Sequence, residues 1–382
     1  MAQWNRVPLI DYIELIGGGT PKTTVPEYWN GNIPWLSVKD FNNDKRYVYS
    51  TEKHISQSGF ENSPTKMLHK DDIIISARGT VGEIAMIPFD MAFNQSCYGI
   101  RASRGIDQPF LYYLLKNCIS QLKRMTHGSV FDTITRDTFA NIEVDIPDAE
   151  TQKRISSVLA DIDNKIEVND AINDNLHQQA ATLFKALFVD LTPFDGTMPP
   201  NWTISTLGDA TEMGAGGDKP KESSPVKTPL CPYPIYSNGI NDYGLYGYTN
   251  DPKIKVESVT VSARGTIGYV CLRHTPYVPI VRLVTLIPDT KVLSAKYLYL
   301  YLRQLHITGT GTTQQQLTVP DFRKTEIIIP DKNTMDSFTE TVTPLFEQIW
   351  ANEDENTKLA EVRDALLPKL MSGEIDVSTI QL

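Results

Sequence analysis

Ser76-Ala77-Arg78-Gly79-Thr80-Val81-Gly82 returns further along the chain as Ser262-Ala263-Arg264-Gly265-Thr266-Ile267-Gly268, with one Val/Ile exchange in the whole stretch. A repeat of this fidelity marks a duplicated unit. Working outward, Trp4 to Leu9 resembles Trp202 to Leu207, Leu111-Tyr112 matches Leu298-Tyr299, and Thr135, Phe139 and Pro147 match Thr318, Phe322 and Pro330. The interval between partners shrinks from 198 residues at the tryptophans to 183 at the prolines. The first copy is therefore longer before the anchor, where it reads Pro26-Glu27-Tyr28-Trp29-Asn30-Gly31-Asn32-Ile33-Pro34-Trp35 and the second is rich in Gly, Pro and Tyr. The copies share a scaffold and differ in loops.

Each copy contains short β-branched runs such as Asp72-Ile73-Ile74-Ile75-Ser76 and Glu257-Ser258-Val259-Thr260-Val261-Ser262, broken by Gly and Pro, which predicts a mostly β domain. One longer apolar segment per copy, 108–123 and 294–306, predicts a helix, and a final strand follows at 141–146 and 325–329, stopped by proline. At 382 residues, 41% hydrophobic and 21% charged, the chain is long enough for two or three globular domains and too apolar for disorder. Cys97, Cys118, Cys231 and Cys271 lie far apart, so neither a disulfide framework nor a zinc site is expected. No stretch has the roughly 20 apolar residues needed to span a bilayer, and the expected location is the cytoplasm, with no membrane partner.

After each β-rich region the pattern changes in kind. Positions 155, 159, 162, 166, 169, 173, 176, 180, 183 and 187 keep a 4,3 spacing and read Ile, Leu, Ile, Ile, Asn, Asn, Leu, Ala, Leu, Leu. This is a coiled-coil seam. The second copy repeats it in phase as Phe338, Val342, Leu345, Ile349, Asn352, Asn356, Leu359, Arg363, Leu366 and Leu370, with Arg363 the one charged intrusion. A helix of this length with one apolar stripe needs a partner along most of it, and the obvious partner is its twin. An antiparallel pair sets Asn169 against Asn356 and Asn173 against Asn352, whereas a slip in register leaves a buried amide facing leucine. Two β domains carried on such a rod would be held a fixed distance apart, an arrangement suited to a target with two separated halves.

The sequence lacks a phosphate-binding Gly-x-x-x-x-Gly-Lys-Ser/Thr loop, a Gly-x-Gly-x-x-Gly fingerprint, His-Glu-x-x-His, a Gly-x-Ser-x-Gly elbow and an Asn/Asp-Pro-Pro-Tyr motif, so an autonomous enzyme is not expected. The repeated Ser-Ala-Arg-Gly-Thr-x-Gly follows a strand, and its glycines suit a tight turn that presents backbone N–H groups and an arginine to an anion such as a nucleic-acid phosphate. The bland reading is a hairpin shaped by glycine whose arginine pairs with an acid. Candidate DNA contacts in the first copy are Lys22, Lys39, Arg78, Gly79, Thr80, Asn94, Gln95, Arg101, Arg124, Ser129 and Arg136. In the second they are Lys219, Lys221, Asn238, Asn241, Tyr243, Arg264, Gly265, Thr266, Arg282, Thr312, Gln314 and Gln315. Amides and arginines read base edges, while lysines mostly hold phosphates. The second copy has Val278-Pro279-Ile280 near where Asn94-Gln95-Ser96 would align, which weakens any transfer of a contact between copies.

Taken together, these features resemble the specificity subunits of type I restriction-modification systems. The resemblance rests on 73–82 and 262–268, on Asn94-Gln95, on Ile146-Pro147 with Glu150, Gln152 and Ile155, and on Ala365-Leu366-Leu367-Pro368-Lys369-Leu370-Met371-Ser372-Gly373-Glu374-Ile375. It implies an α+β chain of two pseudo-repeated, mostly-β target-recognition domains joined by two long helices packed as an antiparallel coiled coil. The expected divisions are a recognition domain at 1–148, a central spacer helix at 149–192, a second recognition domain at 193–333 and a C-terminal spacer helix and tail at 334–382. It also implies double-stranded DNA with a bipartite target, two modification (methyltransferase) subunits, and restriction (translocase/endonuclease) subunits as partners. S-adenosylmethionine, ATP and Mg2+ would belong to those partners, and this chain would be non-catalytic with no metal. The competing reading is a coiled-coil scaffold or adaptor whose β domains bind protein.

The formal net charge of −10 argues against nucleic acid only while the chain is taken whole. Residues 1–145 carry a net charge of −1 and residues 201–333 carry +3, while the helical segments 146–200 and 334–382 carry −5 and −7. The acid lies in the helices, and the β domains need only a locally basic face.

Overall fold

A computed structural model describes residues 4–126, 133–309 and 316–377, without the side chains of 125 and 126. The chain forms two compact units, one of residues 1–171 with 352–382 and the other of residues 172–351.

In the first unit, strand Ile13–Gly17 pairs with Cys97–Ala102, which pairs with Ile73–Ser76, which pairs with Ile84–Met86, all antiparallel. A second sheet runs Lys53–Ile55, Trp29–Leu36, Met91–Phe93, Met67–Leu68, with Trp29–Leu36 parallel to Met91–Phe93. The Ile73-Ile74-Ile75 run does not alternate with polar residues because both faces of its strand are covered. Ile73 and Ile75 join the core beneath helix Gln108–Thr126, while Ile74 points the other way toward Leu36, Leu68 and Phe93. A ribbon of Asn5–Pro8 with Glu143–Ile146 closes the domain.

The second unit repeats this plan. Thr211–Ala215, Val284–Pro288, Ser258–Val261 and Val270–Arg273 form the first sheet. The ribbon is Thr203–Thr206 with Glu326–Ile329, and the helix is Ala295–Gln304. Its other sheet keeps a parallel pair, Tyr233–Tyr236 with Val278–Pro279, but has Leu245–Thr249 and Ser223–Ser224 on the side where the first has Lys53–Ile55, and among the described residues no strand in the place of Met67–Leu68. The copies therefore diverge at the edge of this sheet, in the segment where the sequence interval shrinks.

Two long helices, Ala149–Phe184 and Lys332–Met371, pack together. The boundary between units falls inside both. In the first unit Ile155 and Leu159 share a core with Leu367, Leu370 and Met371, so the early part of one helix meets the late part of the other. In the second, Ala180 and Phe184 pack with Phe338, Val342, Phe346 and Ile349. A compact unit is thus a β domain plus part of each helix, whereas the repeat in sequence is a β domain followed by one whole helix. Each helix also buries residues outside the 4,3 seam, Ser156, Asp163 and Phe184 on the first and Phe346, Leu367 and Met371 on the second, because it must face its β domain as well as the other helix.

Asn169 Nδ2 donates to Asn356 Oδ1 at 2.9 Å and to Glu355 Oε2 at 2.8 Å, and Asn356 Nδ2 donates to Asp170 Oδ1 at 2.9 Å. The amide-to-amide meeting follows the spacing. In the second unit, Asn173 Nδ2 donates to the Ile349 carbonyl at 3.3 Å. Arg363 is no flaw in the seam. Its Nη1 lies 2.9 Å from Asp163 Oδ1, its Nη2 2.9 Å from Asp44 Oδ2 and its Nε 2.9 Å from Asp364 Oδ1. Tyr113 Oη donates to the other oxygen of Asp163 at 2.6 Å, and Lys116 Nζ holds Asp44 at 2.9 Å. This cluster ties the β domain to both helices within the first unit.

The cysteines are free, and burial pushes the Cys97 thiol up to about 12 and that of Cys118 up to about 11, so neither is a ready thiolate at neutral pH. Among the described residues no helix is long and apolar enough to cross a membrane, and no group of His, Cys, Asp and Glu could hold a metal ion.

Candidate nucleic-acid interface

The repeated turn has the same construction in both units. Strand Ile73–Ser76 ends on a serine whose Oγ donates to the Thr80 carbonyl at 2.5 Å and accepts the Glu83 N–H at 2.8 Å. The Gly82 N–H closes the turn on the Ser76 carbonyl at 3.0 Å. In the second copy Ser262 Oγ donates to the Thr266 carbonyl and accepts the Tyr269 N–H at 3.0 Å, and the Gly268 N–H reaches the Ser262 carbonyl at 3.0 Å. The glycines stand at φ of 78° and 85° in the first turn and 69° and 84° in the second, a conformation costly for any residue with a Cβ. Arg78-Gly79-Thr80 and Arg264-Gly265-Thr266 are exposed at the tips. Arg264 is oriented by Gln316, whose Oε1 accepts from Nε at 3.2 Å and Nη2 at 3.0 Å.

Two further loops converge on each turn. In the first unit, the Ala77 and Arg78 N–H groups both donate to the Ser96 carbonyl, at 2.8 and 3.2 Å. The adjoining Gln95 accepts from the Thr20 hydroxyl, and the Asn94 side chain caps Ser96 N–H at 3.0 Å. Gly18 lies so close to the Asn94 carbonyl that no Cβ fits. Thr20, Asn94, Gln95 and Arg78 therefore sit on one surface. In the second unit, Asn238 bridges the corresponding loops, its Oδ1 accepting from Ala263 N–H at 2.7 Å and its Nδ2 donating to the Val281 carbonyl at 2.6 Å. Gly216 and Gly217 fill the place of Gly18 and Gly19 beside them.

This geometry corrects one alignment. Asn94 N–H donates to the Leu36 carbonyl at 3.0 Å, and Ile280 N–H donates to the Tyr236 carbonyl at 2.9 Å. Each residue directly follows the strand that runs parallel to its neighbour. Ile280-Val281-Arg282, and not Val278-Pro279-Ile280, thus stand where Asn94-Gln95-Ser96 stand. The sequence carries the same register, since Asn94 and Ile280 are 186 residues apart, the interval of the Ser-Ala-Arg-Gly-Thr turn.

Other candidates separate into two groups. Lys22, Lys39, Lys219, Lys221, Asn241, Tyr243 and Arg282 are exposed or half-buried, and Lys219 Nζ lies 5.1 Å from the centre of the Tyr246 ring. Arg101 is otherwise engaged. Its Nε and Nη2 fork onto buried Asp72 at 2.8 and 2.6 Å, and this hydrogen bond, opposed by partial burial, raises its already high pKa. Arg136 Nη2 donates to the Leu15 carbonyl at 3.0 Å, and Arg124 Nε donates to the Ser120 carbonyl of its own helix at 3.2 Å. Arg101 and Arg136 therefore serve the domain's own structure. Ser129, Thr312, Gln314 and Gln315 lie outside the described residues.

Comparison with known proteins agrees with this architecture. A family model described as the type I restriction modification DNA specificity domain matches residues 1–178 and again 199–361. The MjaIX type I restriction enzyme specificity subunit of Methanocaldococcus jannaschii is 28% identical over an alignment covering 99% of this chain and 94% of the relative. The HindI specificity subunit of Haemophilus influenzae is 26% identical over 70% of this chain and 77% of its own length. The crystal structure of a type I restriction-modification S subunit from M. genitalium shares the fold, with a TM-score of 0.57 at 15% identity over 97% of this chain and 96% of the other. With the duplicated domain matched over most of its length, the chain belongs to the family of type I restriction-modification specificity subunits, the DNA-recognition component of such complexes.

Proposed function

We propose that this chain selects a bipartite DNA sequence, each β domain reading one half through the loop surface that carries its Arg-Gly-Thr turn. The observation that carries this reading is the duplication of that turn with its serine fastening, glycine conformations and exposed arginine intact, while the surrounding loops differ. A constant phosphate-facing element beside variable base-facing loops is what two recognition domains of different sequence preference require. The long helices form an antiparallel coiled coil that sets the gap between the two halves and docks two modification subunits. The Asn169–Asn356 pairing and the meeting of early with late helix residues in each unit support that direction. S-adenosylmethionine, ATP and Mg2+ serve the modification and restriction subunits, and this chain contributes the choice of sequence. The domain boundaries at 148, 192 and 333 mark the exchangeable parts.

The test is mapping of methylated adenines in a host carrying this chain with its modification subunit. A chain-dependent motif of two short specific runs separated by a fixed gap is expected, and absence of any such motif overturns the proposal. A non-DNA adaptor would give that second result.

Replacing Asn169 and Asn173 by leucine tests the spacer. The substitutions take from the half-buried Asn356 the donor to its Oδ1 while its Nδ2 keeps Asp170, and the loss of one such hydrogen bond costs roughly 1 kcal/mol. We expect both half-sequences to be retained while the gap in the methylated motif becomes variable. An unchanged single gap with unchanged oligomeric state would remove the role given to those amides.

A further inference from the structure

We infer that Val281 is a base-reading residue of the second β domain and that the base it reads is thymine, through its 5-methyl group. The inference rests on the DNA-reading role proposed above and names the chemistry of one contact within it.

Val281 and Arg282 stand consecutively at φ of 53° and 61°. A β-branched residue is among the least tolerant of that region. The strain is held from three sides. Val281 N–H donates to the Gly217 carbonyl and Arg282 N–H to the Gly216 carbonyl, each at 2.9 Å, and Asn238 Nδ2 holds the Val281 carbonyl at 2.6 Å. The first domain reaches the same place without strain, since neither Gln95 nor Ser96 has a positive φ. Strain that the surroundings enforce is characteristic of a functional position. Its effect here is to leave the valine 49% exposed at the tip, next to Arg282 and one bridging asparagine away from the Arg264 turn.

An exposed valine beside an arginine gains nothing from water or phosphate. On a duplex, the one apolar feature that distinguishes a base edge in the major groove is the thymine methyl. The equivalent position of the first domain carries Gln95, whose amide suits adenine. One scaffold position thus offers an amide in one domain and a branched hydrocarbon in the other, as expected where two copies must read different bases.

The experiment uses the full chain assembled with its modification subunits and duplexes carrying its methylated target, with each thymine of the second domain's half replaced in turn by uracil, which lacks only the methyl. Wild-type affinity should fall about fourfold at one position, the worth of one buried methyl. Val281→Gly, which relieves the backbone, should bind with no dependence on that methyl, and Val281→Asn, whose side chain tolerates left-handed backbone, should behave alike. If the target is bipartite but that half contains no thymine, or no uracil substitution couples to Val281, the inference is overturned while the reading beneath it stands. If wild type selects no bipartite target, the reading itself fails and the inference with it.

Discussion

Arg363→Ala is expected to destabilise the first unit by about 3–5 kcal/mol, the cost of leaving a buried carboxylate without its partner. Arg363 and Asp163 are each 4% exposed in their side chains. Burial alone would lower the Arg363 pKa, but Asp364, Asp163 and Asp44 outweigh it and hold the guanidinium charged. Removing the arginine strands Asp163 against Tyr113 and loosens Asp44 on the β domain, so the domain's grip on both helices weakens together. Urea unfolding should show the loss, and Arg363→Met with Asp163→Asn should recover most of it, because Asn retains an acceptor for Tyr113 without a buried charge. A loss under about 1 kcal/mol, typical of an exposed pair, would show that the cluster is solvated. Acid adds a second readout. Burial raises the Asp44 carboxyl, but Lys116 and Arg363 outweigh that and hold it below its ordinary value. A depressed folded pKa stabilises above the unfolded value, near pH 4, and that contribution is lost as pH falls through the folded one. The acid sensitivity of the first unit should therefore shrink in Arg363→Ala.

The second large effect concerns binding. Arg78→Ala with Arg264→Ala should weaken binding of target and unrelated duplexes alike, by about ten- to a hundredfold for each arginine, since a charge-assisted hydrogen bond is worth about 1.5–3 kcal/mol. The slope of log affinity against log salt should decrease by about two, one for each phosphate that an arginine no longer neutralises. Both turns are fastened by serine and glycine backbone contacts and not by the arginine side chains, so the domains should remain folded. A change in preference at one base pair with an unaltered salt slope would reassign the arginine to base reading. No change at all would support the plain hairpin reading of the motif.

What the sequence made legible is what is periodic or repeated. The Ile155-to-Leu187 seam, its twin, the duplicated turn and the short strands all follow from local pattern, and the structure places them in those elements. Contacts that join distant segments were not legible. Arg363 reads as an intrusion when its helix is viewed alone, because Asp163 lies off the 4,3 seam and Asp44 belongs to a loop of the first domain. The buried residues outside the seam on each helix are hidden for the same reason, since a heptad reading allows one partner and these helices have two. The pairing of Arg101 with Asp72 depends on strands distant in sequence and was hidden for the same reason. Val281 carried no signal, because valine after a strand is ordinary and only the backbone conformation marks it. Ile280 follows Asn94 by 186 residues, the interval of the Ser-Ala-Arg-Gly-Thr turn, so this register was legible in the sequence, and the pairing of each parallel strand fixes it.

Each domain reading its own half of the target, with the helices setting the gap, is tested most directly by a domain exchange. Residues 1–145 are replaced by the corresponding domain of a relative, and the methylated motif is sequenced in a host supplied with the modification subunit. One half-sequence should change while the other half and the gap stay the same. A motif in which both halves change, or neither does, would contradict that division of labour.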